Sequence, residues 1–230
     1  MKHKSQDPIQ NIVANIKDKS VVKQQTYTHL LEAFAHIKSR AQEIVADIKG
    51  RINDINKDVT VSYEEVSDQE FQVKVAGDVL AFVLHTNIVT FDSEHAVIKS
   101  DYVNQDKNRK YFGQIMVYNF MADSIKYNRL NDPGYLVARL LINYENHFFI
   151  EGAGQLGFLF KEVSSAPINK TDIDVLIMLS ITEAAQSDLI TQPFHKIKNV
   201  SLQQKMNKDR HMGAGEKIGF KMSYQEDTKS

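Results

Sequence analysis

The sequence predicts an α+β fold, an antiparallel sheet of about six to seven strands flanked by a long N-terminal amphipathic helix and a C-terminal helix. Three observations carry this expectation. Apolar residues recur at helical spacing from Ile9 to Ile55. From Val59 the period drops to two, and runs of β-branched and aromatic residues alternate with short turn signals as far as Phe160. A second helical pattern then occupies residues 172–189.

Asp7-Pro8 reads as a helix start, an acidic N-cap followed by proline at the first helical position. Ile9, Ile12, Val13 and Ile16 follow at helical spacing and predict a short amphipathic helix over 8–18. Ser20 suits the cap of a second helix over 21–57. In it Tyr27, Phe34, Ala41, Ile48 and Ile55 recur every seven residues, and Leu30, Ile37 and Ile44 fill the positions three later. Leu31, Val45 and Ile52 widen the stripe beyond a narrow coiled-coil seam. At 1.5 Å per residue this helix is about 55 Å long. That exceeds the width of a compact domain, so the arm formed by residues 1–57 is expected to project or to pair with another chain.

Residues 58–190 read as the sheet domain. Strands are expected over 59–63, 71–75 and 79–84, with His85-Thr86-Asn87 turning into a further strand over 88–91. The connections are too short for parallel crossovers. Residues 92–110 are polar and read as a long loop with a short strand at 96–98. Tyr111–Met121 is apolar on both faces, which predicts a sheet covered twice. Residues 123–129 either continue that strand or form a helical turn. Asn131-Asp132-Pro133-Gly134 is a turn, and strands follow over 135–144, 147–150 and 155–160. Thr171 or Asp172 is the expected cap of the C-terminal helix. Residues 191–230 read as a polar, basic tail.

Composition narrows the function classes. The 230 residues carry a net charge of −1, so the chain as a whole is not an electrostatic nucleic-acid binder. Without cysteine there are no disulfides, thiolate metal sites or cysteine nucleophiles, which fits a cytoplasmic protein. No apolar run is long enough to span a membrane, and MKHKSQDPIQ lacks the apolar core of a secretory signal.

Gly152-Ala153-Gly154-Gln155-Leu156-Gly157 has the spacing of a dinucleotide fingerprint. Phe158-Leu159-Phe160 then favours strand, and no parallel strand ending in an acid follows, so the motif reads as a bend between two strands and no cofactor is expected. His85, Asp92 and His95, with Glu94, are candidate metal ligands, although their spacing matches no known ligand pattern. Tyr118, Asn119, Asp123, Tyr127 and Arg129 are candidate ligand-binding groups beside a buried strand. Arg139 joins them, because an arginine within an apolar strand requires a partner, and Asp123, Glu145 and Glu151 are the internal choices. Lys196, Lys198, Lys205, Lys208, Arg210 and Lys217 are candidate phosphate contacts in the tail. The leading expectation is a non-enzymatic interaction or regulatory module that self-associates through its long helix, with a protein partner as a further expectation. A nucleic-acid-associated protein using the tail is one alternative. A ligand sensor or enzyme with a pocket near Arg139 is the other.

Overall fold

The helical spacing at the start of the chain is realised as α1 (Pro8–Asn15), a π-helical turn over Ile16–Ser20, and α2 (Val21–Asn53). A computed structural model describes residues 8–152, 154–191, 193–199, 201–203 and 220–222. The period-two segments form β1 (Val61–Ser67), β2 (Glu70–Val75), β3 (Asp78–Val89), β4 (Phe112–Met121), β5 (Tyr135–Ile142) and β6 (Phe148–Gly152). They make one antiparallel six-stranded sheet in the order of the chain. α3 (Ala96–Lys99) and α4 (Asp101–Gln105) lie between β3 and β4, and α5 (Ala122–Lys126) lies between β4 and β5. After β6 come α6 (Gly154–Leu159) and α7 (Lys170–Gln186). β7 (Leu189–Thr191), α8 (Phe194–Ile197) and β8 (Phe220–Met222) complete the described chain, and β7 pairs antiparallel with β8.

The chain forms two compact units. The first gathers the described residues of 1–40, 83–116 and 138–176. Here Leu30, Ala33, Phe34 and Ile37 of α2 are buried. Leu30 sits over Gly113 of β4 so closely that a Cβ on that glycine would lie 2.8 Å from Leu30 Cδ2. The next residue along the strand, Phe112, points to the opposite face. There it packs with Val97, Val103, Leu141 and Phe149. This stretch of sheet is therefore covered on both faces, as its two-sided apolarity requires.

The second unit gathers the described residues of 41–82, 117–137 and 177–230. Its core holds Ala41, Val45, Val61, Phe71, Val73, Leu80, Phe82, Val117 and Val137, together with Ile177, Ile181 and Ala184 of α7. Phe71 stacks on Phe82 at 4.6 Å and on Tyr63 at 5.3 Å.

Four local expectations are overturned. His85-Thr86-Asn87 is not a turn, because β3 runs through it, and these residues are polar because that end of the strand is exposed. Residues 96–98 are helical rather than a strand. His95 Nδ1 accepts a hydrogen bond from Val97 N at 3.3 Å and caps α3, and Ser100 and Asp106 cap the next two turns in the same way. Residues 155–159 belong to α6 where a strand over 155–160 was expected, so the glycine motif links a strand to a helical turn. Gly154 takes φ 53°, and a Cβ on Gly157 would lie 2.3 Å from the carbonyl oxygen of Gly152. The motif's glycines thus serve a tight backbone crossing. α7 begins earlier than expected and is capped by Asn169, whose Oδ1 accepts from Thr171 N and Asp172 N, while Asp172 Oδ2 accepts from Asn169 N.

Both outer strands of the sheet carry devices at their free edges. β1 has a register shift between Glu65 and Ser67 and exposes both of its glutamates. β6 is covered by chain that follows it: Ile150 N donates to Phe160 O and Ser164 N to Phe148 O.

Candidate functional site

The densest polar cluster is built on the turn between β5 and β6. Asn143 is fully buried. Its Oδ1 accepts from Glu145 N at 3.0 Å and His147 N at 3.1 Å, and its Nδ2 donates to Tyr102 Oη at 2.6 Å. Tyr102 in turn donates to Glu145 Oε2 at 2.7 Å and stacks on His147 at 5.3 Å. Arg109 crosses the Tyr102 ring at 4.4 Å, donates to Glu145 Oε1 at 3.1 Å and donates to Tyr102 O at 3.0 Å. Tyr144 Oη donates to Asp106 Oδ2 at 2.5 Å.

The electrostatics of this cluster follow from those contacts. Burial pushes Glu145 up, but hydrogen bonds from Tyr102 and Arg109 outweigh it and hold the carboxyl below the usual range. The Tyr144 hydroxyl, followed by the Asn108 amide, holds Asp106 low. Burial raises both Tyr102 and Tyr144 well above an ordinary phenol, and neighbouring carboxylates add to the effect. Every charged member therefore has an internal partner. The arrangement clamps the segment that carries α3 and α4 onto the β5–β6 turn. Apart from Glu145, which enters the sequence argument only as a possible partner of Arg139, these residues were missed. They lie about forty positions apart in the chain, and only the fold brings them together.

The sequence-nominated residues are dispersed among local tasks. Arg139 Nε donates to Glu151 Oε2 at 2.6 Å, across the β5–β6 register that places the two residues opposite each other. Glu151 was among the expected partners. The pair is about one-third exposed, and the Arg139 guanidinium lies 5.9 Å from the Phe91 ring. His95 joins this group, stacking on Phe91 at 4.1 Å with Nε2 at 3.7 Å from Glu151 Oε1. His85 Nδ1 accepts from Asn87 N, and Asp92 Oδ1 accepts from Glu94 N. Among the described residues, no three histidine or acidic side chains converge as a metal site.

In the second unit Asn119 is buried and donates to Asp78 Oδ1 at 3.1 Å, while Tyr118 lies against Phe120. Asp123 is exposed at the first turn of α5. Tyr127 is half-exposed, with Lys126 and Arg129 both over its ring. Arg129 also faces Asp132, a buried acid that accepts from Ser124 Oγ at 2.5 Å and that the sequence argument treated only as part of a turn. Lys196 and Lys198 are exposed in and after α8. Lys205, Lys208, Arg210 and Lys217 lie outside the described residues.

Among the described residues, α1 and the turn after it carry a regular run of exposed apolar side chains. Ile9 is 67% exposed, and Ile12, Val13 and Ile16 are each 57% exposed. None of the described side chains from 8 to 20 is buried. By contrast, the central heptad positions of α2, from Leu30 through Phe34 and Ile37 to Ala41, are fully committed within their own units.

Comparison with family models, curated proteins and solved structures finds no match to this chain.

Proposed function

We propose that this protein is a non-enzymatic cytoplasmic module that self-associates through α1 and the turn following it. The observation that carries the reading is the stripe Ile9, Ile12, Val13 and Ile16. A helical segment this short gains little from intrinsic propensity and depends on packing of its apolar face. Each of these aliphatic side chains contributes about 1.5–3 kcal/mol when it moves from water into an apolar contact. All four stay more than half exposed in the described chain, and a second copy presenting the same stripe would cover them symmetrically. The heptad positions of α2 support this role less, because Leu30, Phe34, Ile37 and Ala41 already have their contacts inside the chain. A pocket centred on Arg139 is also less well supported, since Glu151 takes up that guanidinium.

The test is sedimentation equilibrium on the full chain. Wild type is expected to associate at about 10–50 µM, a range in which four aliphatic contacts per copy outweigh the entropy of association. The double variant Ile12→Glu/Ile16→Glu is expected to sediment as a monomer with an unchanged circular-dichroism spectrum. A wild-type chain that stays monomeric across that range overturns the proposal, as does association that survives the double substitution.

A further inference from the structure

A groove of about 320 Å³ runs between α2 and the start of α7 within the first unit. One wall is the face of α2 bearing His29, Ala33, His36 and Arg40, spaced so that they stack along one side of the helix. Ala33 is the small residue of this row and gives the groove its depth. The other wall comprises Asn146, Ile168, Asn169 and Lys170, and Ile173 joins Ala33 in the apolar floor. The volume lies at the lower end of the range for small-molecule sites, and an apolar floor with a few converging polar groups is their usual make-up.

Each wall is fixed independently of any ligand. Arg40 is held by a two-pronged contact to Asp174, with Nε donating to Oδ1 at 2.7 Å and Nη2 to Oδ2 at 3.0 Å. Asn169 and Asp172 cap each other at the start of α7. Asn146 takes a left-handed conformation with φ 62°, its N–H bonded to Asn143 O, and its carbonyl accepts from Ile168 N at 2.9 Å. A prearranged cavity loses less ordering entropy on binding.

The charged side chains along the groove are Lys170 and Glu32, with Arg40 already paired to Asp174. Lys170 is a cation, and His29 and His36 add two imidazoles. Among the lining residues the one acid is Glu32. The two acids in the first turns of α7 are already engaged, Asp172 with the Asn169 amide and Asp174 with Arg40. In addition, His29 Nδ1 is shielded from solvent and has no hydrogen-bond partner among the described residues. A shielded polar atom in a cavity wall is open to a partner that enters the cavity, a water or a ligand.

We infer that this groove is a binding site for a small organic anion, a carboxylate or phosphate ester with a short apolar body. Lys170 receives the charge at the rim, where His36 offers a ring N–H, His29 Nδ1 completes a hydrogen bond inside, and the body lies on Ala33, Ile168 and Ile173. None of these residues belongs to the stripe of α1, so the site stands or falls independently of self-association.

The test uses full-length, ¹⁵N-labelled protein titrated separately with sodium phosphate, sodium succinate and uncharged succinamide. Long-range imidazole ¹H–¹⁵N correlations report on His29 Nδ1. At least one anion is expected to shift that resonance saturably, with a Kd of about 0.1–1 mM. Which anion does so separates the carboxylate from the phosphate class. His36→Ala/Lys170→Ala changes two exposed side chains and is expected to weaken binding about ten-fold or more while leaving the remaining amide spectrum in place. The single variant Lys170→Ala is expected to give an intermediate loss. The inference is overturned if neither anion saturates below about 10 mM, if succinamide binds as well as succinate, or if the double variant binds like wild type.

Discussion

Asn143 sets the tone at the scale of single residues. With no exposed surface, it satisfies two backbone N–H groups and one phenol at once. Around it, carboxylates and phenols are shifted in opposite directions, and the shifts have consequences for stability. Glu145 and Asp106 are held below their ordinary values of 4.5 and 3.8. The folded chain then binds fewer protons than the unfolded chain in that range. Their contribution is complete above about pH 4.5 and is lost as pH falls through the folded values. Tyr102 and Tyr144 are raised above 10.0, so their contribution is complete below pH 10 and is lost as pH rises beyond it. Urea denaturation across pH is expected to show a slope on each limb, with at most about 1.4 kcal/mol per pH unit from each group. Glu145→Gln should flatten mainly the acid limb, whereas Tyr144→Phe should flatten both, since it removes a raised phenol and the hydroxyl that holds Asp106 low.

At the scale of elements, Gly113 records how closely α2 lies on β4. Gly113→Val forces Leu30 or the strand to move, with an expected cost of about 1–3 kcal/mol in thermal or urea unfolding. Most elements were legible in the sequence. The seven-residue recurrence in α2 and the alternation in β2 each reflect one covered face, and periodicity reports faces directly. The misreadings share a physical cause. Val97-Ile98 and Phe158-Leu159-Phe160 favour strand by composition, but a histidine cap in one case and a glycine crossing in the other impose helical turns. His85-Thr86-Asn87 looked like a turn because polarity marks exposure as well as reversal. Arg139 needed a partner and the sequence offered three, but only the β5–β6 register selects Glu151. The groove beside α2 was not legible, since its walls are drawn from segments more than a hundred residues apart.

At the scale of the whole molecule, the proposed self-association through α1 would link stability to concentration. Anything that binds the folded chain and not the unfolded one raises the apparent melting temperature by mass action, and in the proposed assembly a second copy would be that binder. Wild-type Tm is therefore expected to climb by a few degrees over a hundred-fold increase in protein concentration. In Ile12→Glu/Ile16→Glu it should stay level. Differential scanning calorimetry at matched concentrations makes the comparison, and a wild-type Tm that does not move argues against a stable assembly.

The edges of the sheet bear on what kind of assembly the proposed self-association would give. A bare strand edge is a template that recruits one copy after another without limit. Here β1 interrupts that template with a register shift and two exposed glutamates, and β6 has its outward hydrogen bonds occupied by Phe160 and Ser164. Growth of the sheet from copy to copy is therefore blocked at both of its ends. On the proposed reading, association through α1 would then stop at a countable complex, because the strands of this sheet offer no edge on which fibres could grow.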